Sequence, residues 1–226
     1  MLARFGYCSR REARAWLRAG RVRAGDGREV TQPAMRLDVR VARVDGSPVP
    51  YPDGLLVMLH KPVGTVCSHN RAEGETVYDL LPPDWFRRQP PPAAVGRLDR
   101  DTSGLLLVTD RGDWIHRWTS PRSGWKKVYE VTLEGGVDPG WSDRFAAGDL
   151  MLRGEAKPCL PAELELVGGR RVRLTLTEGR YHQVKRMFAA LGGRVIALHR
   201  TAFGPYRLGE QLQPGEWQAV KPPEEE

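Results

Sequence analysis

Lysine is missing from the first fifth of this chain, cysteine is scarce, and apolar runs are short. Three cysteines occur in 226 residues (Cys8, Cys67 and Cys159). An odd number set so far apart fits reduced cytosolic thiols rather than a disulfide framework. The aliphatic run Leu105-Leu106-Leu107-Val108 is far short of the ~20 residues that a spanning helix needs, which excludes a membrane protein. No basic–apolar–small leader opens the chain, so the expected location is the cytoplasm. Phosphate-binding Gly-x-x-x-x-Gly-Lys-Ser/Thr and Gly-x-Gly-x-x-Gly loops are absent, as is a Gly-x-Ser-x-Gly elbow. Their absence argues against ATP, dinucleotide and serine-hydrolase chemistry. Histidines and cysteines show no ligand pairs at structural spacing, since Cys67-x-His69 alone is a weak signal. Neither a metal nor a cofactor is expected.

What the chain does have is arginine in one place. Residues 1–50 hold eleven arginines and five acids (Glu12, Asp26, Glu29, Asp38, Asp45), so +6 of the net +7 lies there. Arginine forks phosphate oxygens and stacks on bases, which points to nucleic acid rather than to a merely solvated basic face. Ser9-Arg10-Arg11-Glu12 has capping-box spacing and predicts a helix from Arg10 to Ala19, stopped by Gly20. Ala13, Trp16 and Leu17 share one stripe, while Arg10, Arg11, Arg14 and Arg18 spread over the rest. A turn at Gly25-Asp26-Gly27 and an alternating strand over Leu37–Val44 follow.

The expected architecture is α+β: a small N-terminal α/β module (1–47), a proline-rich semi-rigid linker (48–54), a larger domain (55–222) and an acidic tail (223–226). In the larger domain, strands are predicted at Leu55–His60, Leu105–Thr109, Val128–Leu133 and Val172–Thr177. A loop with five prolines runs from Pro82 to Pro92. Val184, Met187, Phe188 and Leu191 fall at i, i+3, i+4 and i+7, which makes Tyr181–Leu191 the best helix. Strands in neighbouring runs imply a mostly antiparallel, mixed sheet.

Asp99 lies in Gly96-Arg97-Leu98-Asp99-Arg100-Asp101-Thr102-Ser103-Gly104, ahead of Leu105-Leu106-Leu107. On local physics it is an Asp that caps a turn before a buried strand. As a pattern, Gly-Arg-Leu-Asp followed by Thr-Ser-Gly-Leu-Leu-Leu resembles the catalytic motif of pseudouridine synthases. The likeness continues through Ser120-Pro121-Arg122, Lys127-Val128-Tyr129-Glu130-Val131 and Glu178-Gly179-Arg180-Tyr181-His182-Gln183-Val184-Lys185-Arg186-Met187-Phe188, and on to Leu198-His199-Arg200. Tyr7 to Ala13 and Leu17 to Val22 resemble the S-four-like RNA-binding module. That module usually has several further residues before its first helix, which implies a shortened first helix here. The Tyr181–Phe188 segment is most similar to the branch of the family that modifies small-subunit ribosomal RNA; the large-subunit branch usually has Asn-Arg where Tyr181-His182 stands.

The resemblance implies an isomerase that detaches uracil from its ribose, turns it and rejoins it through a ring carbon, without cofactor. It gives the catalytic carboxylate to Asp99, acting as nucleophile at the anomeric carbon or as base toward the adjacent sugar proton. Lys185 is implied as its cationic partner, and Tyr129 as the ring that stacks on the flipped uracil. Arg97 is expected to fill the gap in the RNA or clamp a phosphate, with Arg180, Arg186, His182, Arg122 and Lys126 along a phosphate track. Arg10, Arg11, Arg14, Arg18 and Arg21 are the implied RNA contacts of the module. Small-subunit ribosomal RNA, naked or in an assembly intermediate, is the expected partner of a monomer. Large-subunit rRNA or tRNA as substrate, and a non-catalytic assembly protein on the same scaffold, are the alternatives.

Overall fold

The computed structural model describes residues 1–224, so Glu225 and Glu226 of the expected acidic tail lie outside the described residues. Leu105 to Val108 form a strand buried on both faces: Leu105 and Leu107 enter one apolar cluster, Leu106 and Val108 another. A continuous aliphatic run is what such a doubly covered strand requires.

The N-terminal unit carries α1 (Ala13–Arg18) and a small antiparallel sheet of β1 (Val22–Arg23), β2 (Arg43–Val44) and β3 (Ser47–Pro48). The capping-box bonds form, with Ser9 N donating to Glu12 Oε2 (2.8 Å) and Glu12 N donating to Ser9 Oγ (3.3 Å). Regular helix nevertheless begins only at Ala13 rather than Arg10. Gly20, at φ +67°, ends the turn after it. Leu37–Val44 is shorter as a strand than its alternation suggested. Asp38 O accepts from Val41 N and Ala42 N, and that turn uses up the first half. Leu2, Phe5, Leu17, Val22 and Val44 share a core of their own.

Residues 49–54 are strapped down. The buried Arg88–Asp110 ion pair (2.7 Å, both side chains 3% exposed) is their anchor. Arg88 donates onward to Pro50 O and Tyr51 O and lies over the Phe5 ring, and Asp110 accepts from Leu55 N. The pair therefore joins the N-terminal unit, the connecting segment and the large sheet.

That sheet has nine strands among the described residues: β4 (Leu56–Lys61), β5 (Ala93–Ala94), β6 (Thr102–Thr109), β7 (Lys127–Leu133), β8 (Glu163–Gly168), β9 (Arg171–Leu176), β10 (Val195–Phe203), β11 (Tyr206–Arg207) and β12 (Trp217–Ala219). Its order is β12-β4-β6-β10-β7-β9-β8, with β5 on β6 and β11 on β10. Only β6 and β10 run parallel; every other pair is antiparallel. Three further helices, α2 (Gly112–Thr119), α3 (Trp141–Ala146) and α4 (Gln183–Ala190), complete the unit. The proline-rich stretch contains a 3-10 turn at Pro83–Arg87, with proline at its start, where a missing N–H costs nothing. Helix α4 buries Val184, Met187 and Phe188 as the spacing predicted, and Gly192 and Gly193 end it.

Gly104 shows why the centre of the sheet is built as it is. At φ +111°, a Cβ there would sit 2.2 Å from Arg200 O and 2.6 Å from Arg200 N. The parallel pairing of β6 with β10 needs this bare backbone. Gly104→Ala is expected to cost about 3 kcal/mol or more, from left-handed strain and overpacking together. A melting temperature within a degree or two of the parent would show the contact to be slack.

Candidate active site

Asp99 lies in the loop that precedes β6. Thr102 N donates to Asp99 O, which closes the turn that the local sequence suggested. The buried Lys61 fastens this loop from beneath, with Nζ donating to Thr102 O (2.8 Å), Pro62 O (3.0 Å) and Arg100 O (3.4 Å). Arg100 in turn donates to Gly64 O. The carboxylate is thus set on a fixed backbone, as a reacting group has to be.

Helix α4 brings the cation. Lys185 Nζ lies 2.9 Å from Asp99 Oδ2 and 2.5 Å from Asp101 Oδ1. Burial alone would lower the Lys185 pKa, but the hydrogen bonds to Asp101 and Asp99 outweigh it and raise the value above the usual lysine range. The same bond to Lys185 is the main cause that lowers Asp101. His182 Nε2 is 3.5 Å from Asp99 Oδ1. His182 starts α4 in the left-handed region (φ 48°, ψ 34°) and stacks on Tyr181 at 3.8 Å. Strained backbone held in this way clusters at functional sites.

Beside the carboxylate opens a cavity of about 240 Å³, lined by Leu98, Asp99, Lys127, Tyr129, Val184, Leu198, Arg200 and Phe203 among others. Its lining mixes charged groups with apolar side chains, and it has room for a nucleobase. Tyr129 (8% exposed) forms part of the wall. Strand register explains the grouping: Arg200 on β10 faces Tyr129 on β7, Phe203 faces Lys127, and Leu198 pairs with Thr102 on β6.

The expected site residues fall into three groups. Asp99, Lys185, Tyr129, His182 and Arg97 gather at the cavity, Arg97 exposed on its rim. Arg180 and Arg186 line or adjoin it, and their guanidinium groups bond to the chain itself. Arg180 donates to Lys157 O (2.7 Å), Pro158 O (2.5 Å) and Glu178 Oε2 (3.1 Å). Arg186 donates to Glu155 Oε1 (2.8 Å), Arg153 O (2.7 Å) and Tyr181 O (3.0 Å). Together they tie down the 153–158 segment. Lys126 is exposed on a different surface, beside Ser142 and Asp143, and Arg122 is exposed on the 3-10 turn after α2. In the N-terminal unit Arg10, Arg11, Arg14 and Arg18 are exposed. Arg21 is paired with Asp45 (2.6 Å) and stacked on Trp16 at 3.3 Å.

Residues of the site that the sequence reading passed over are Asp101, Lys127 and Arg200. Lys127 had a usable signal. On a strand, side chains two apart share a face, so naming Tyr129 as a pocket residue implicates Lys127, not Lys126.

The fold matches a solved structure described as a pseudouridylate synthase. It superposes with a TM-score of 0.69 at 37% identity, over 97% of this chain and 94% of that one. The architecture is therefore that of a pseudouridine synthase. Residues 55–190 match the family profile described as RNA pseudouridylate synthase, and the chain belongs to that family of uridine-isomerising enzymes. Among its curated relatives are proteins named ribosomal small subunit pseudouridine synthase A. The one from Vibrio cholerae is 41% identical over 92% of this chain and 89% of that protein. The one from Yersinia pestis is 45% identical over 90% and 86%, and that from Escherichia coli K12 is 45% identical over 78% and 75%.

Proposed function

We propose that this chain converts a uridine of small-subunit ribosomal RNA to pseudouridine, with Asp99 acting at the ribose of a nucleotide swung out of its stack. The observation that carries the reading is the Asp99–Lys185 pair at the mouth of a cavity with a tyrosine in its wall. Lys185 sets an ammonium 2.9 Å from the Asp99 carboxylate. Tyr129 offers its ring to the base. Swinging the nucleotide out costs a few kcal/mol, which stacking on Tyr129 and contact with the exposed Arg97 offset. The relatives named for small-subunit rRNA support that substrate class over large-subunit rRNA or tRNA.

The N-terminal 1–47 unit is an RNA-binding module of the S-four-like kind in this reading, joined through 48–54 to a catalytic unit spanning 55–222. The enzyme works as a cytoplasmic monomer. The test is to map pseudouridines in ribosomal RNA from cells with and without the gene, and to restore the missing one with purified chain. If no small-subunit pseudouridine disappears, the substrate assignment fails.

The module's role has its own measurement. Arg10, Arg11, Arg14 and Arg18 are exposed on or beside α1, and replacing all four with Gln should leave the fold intact. RNA affinity is expected to fall, and its salt dependence to flatten by about one unit of slope per lost phosphate contact. An unchanged slope in a salt series would make this face a bystander.

A further inference from the structure

Lys127 and Arg200 lie together at the inner part of the cavity, and neither is matched by a carboxylate of its own. Lys127 is 7% exposed and Arg200 2%. The Lys127 ammonium has one long contact, 3.4 Å to Trp125 O, and sits 5.5 Å from the centre of the Phe203 ring. Arg200 donates Nε to Leu105 O (2.8 Å), while its buried Nη2 has no partner. The acid whose charge reaches Lys127 is Glu178, and its carboxylate already accepts from Leu160 N, Arg180 Nε and Gln183 Nε2. Buried cations are normally paired, and an unpaired polar group this deep is a reservoir kept for something. Burial, then the neighbouring Arg200 charge, push the Lys127 pKa down to about 8, with Glu178 pulling the other way. The ammonium still predominates at neutral pH.

We infer that Lys127, with Arg200 behind it, receives a carbonyl oxygen of the extruded uracil and stabilises the negative charge that the ring takes up when its bond to the sugar breaks. This rests on the proposed pseudouridylation at Asp99. Whether Asp99 attacks the anomeric carbon or removes the neighbouring proton, the C1′–N1 bond breaks with both electrons going to the base. The uracil anion spreads that charge onto its oxygens. Asp99 sits at the sugar end and bears a negative charge itself, so it cannot do this. A fixed ammonium on the Tyr129 face of β7, inside a water-poor cavity, can. Such preorganised donors are worth far more there than in water.

Lys127→Met keeps the unbranched apolar stem of the side chain and removes its ammonium. Under single turnover, on an RNA fragment carrying the mapped uridine, it is expected to slow base detachment by about 10²-fold while RNA capture and melting temperature hold. On the same fragment with 5-fluorouridine at that position, the fluorine already stabilises the departing anion, and the loss should be smaller. An equal loss on both RNAs would overturn the proposal. So would weakened RNA capture at an unchanged single-turnover rate, which would make Lys127 a phosphate anchor. If Met unsettles the fold, Lys127→Gln carries the same comparison. Asp99→Asn run in parallel separates the two readings: activity surviving there defeats the site assignment, whereas an inactive Asp99→Asn beside a fully active Lys127→Met defeats only this inference.

Discussion

Asp99→Asn is expected to stop pseudouridine formation, with the fold and the capture of RNA left in place. The amide occupies the volume of the carboxylate, and its oxygen can still accept from Lys185, so the loop before β6 has no reason to move. Lys185 also keeps Asp101 at 2.5 Å, so no ammonium is stranded. The Asp99–Lys185 pair is about a quarter exposed on each side, and pairs open to water contribute only about 0–1 kcal/mol. The melting temperature should therefore shift little. Chemistry is another matter. An amide is neither a nucleophile toward an anomeric carbon nor a base toward a sugar proton, and losses of about 10³-fold or more follow when such a group is neutralised. A nucleoside mass assay under single turnover reads the result directly. Product at the parent rate would place the reacting carboxylate elsewhere, and Asp101, sharing the same lysine, would be the first residue to test.

Much of this site was legible before any coordinates, for a physical reason. Gly96 to Asp101 is a short contiguous loop running into β6, with fixed backbone demands, so its sequence carries its geometry. The same holds for α4, whose apolar spacing sets Val184, Met187 and Phe188 inward and leaves Lys185 on the flank that meets Asp99. What could not be read was competition between distant groups. Arg180 and Arg186 look like phosphate ligands along the chain, yet backbone carbonyls at 153–158 and the acids Glu155 and Glu178 take their donors. Nothing local announces that. Arg21 likewise meets Asp45, 24 residues on, which the pairing of β1 with β2 brings alongside. Lys61 follows the predicted Leu55–His60 strand with nothing local to mark it, yet its ammonium pins the Asp99 loop from 41 residues away. The shortened α1 has a local cause: the capping box formed, but three turn-like residues preceded regular helix. In each case the residue type was read correctly, and the long-range partner decided its use.

Removing the cation should leave a different mark from removing the carboxylate. Lys185→Met leaves the carboxylates of Asp99 and Asp101 without the ammonium that both now meet. The expected outcome is a single-turnover rate lower by about 10²-fold, the usual cost of deleting one fixed electrostatic partner from a reacting site, with less lost than in Asp99→Asn. Stability should follow the same charges. Asp101 is lowered from its ordinary 3.8, chiefly by its bond to Lys185. Its contribution is therefore present above 3.8 and lost as pH falls through the lower folded value. Lys185 is raised above 10.5, so its contribution is whole below 10.5 and fades as pH climbs through the higher folded value. Between those limits the parent should exceed Lys185→Met in melting temperature by a small, nearly constant margin, since exposed pairs contribute little. Lys185→Arg, which keeps a cation able to bridge both carboxylates, should recover most of the rate. A parent rate for Lys185→Met would mean that the ammonium does nothing for the carboxylate it touches, and the electrostatic account of this site would have to be given up.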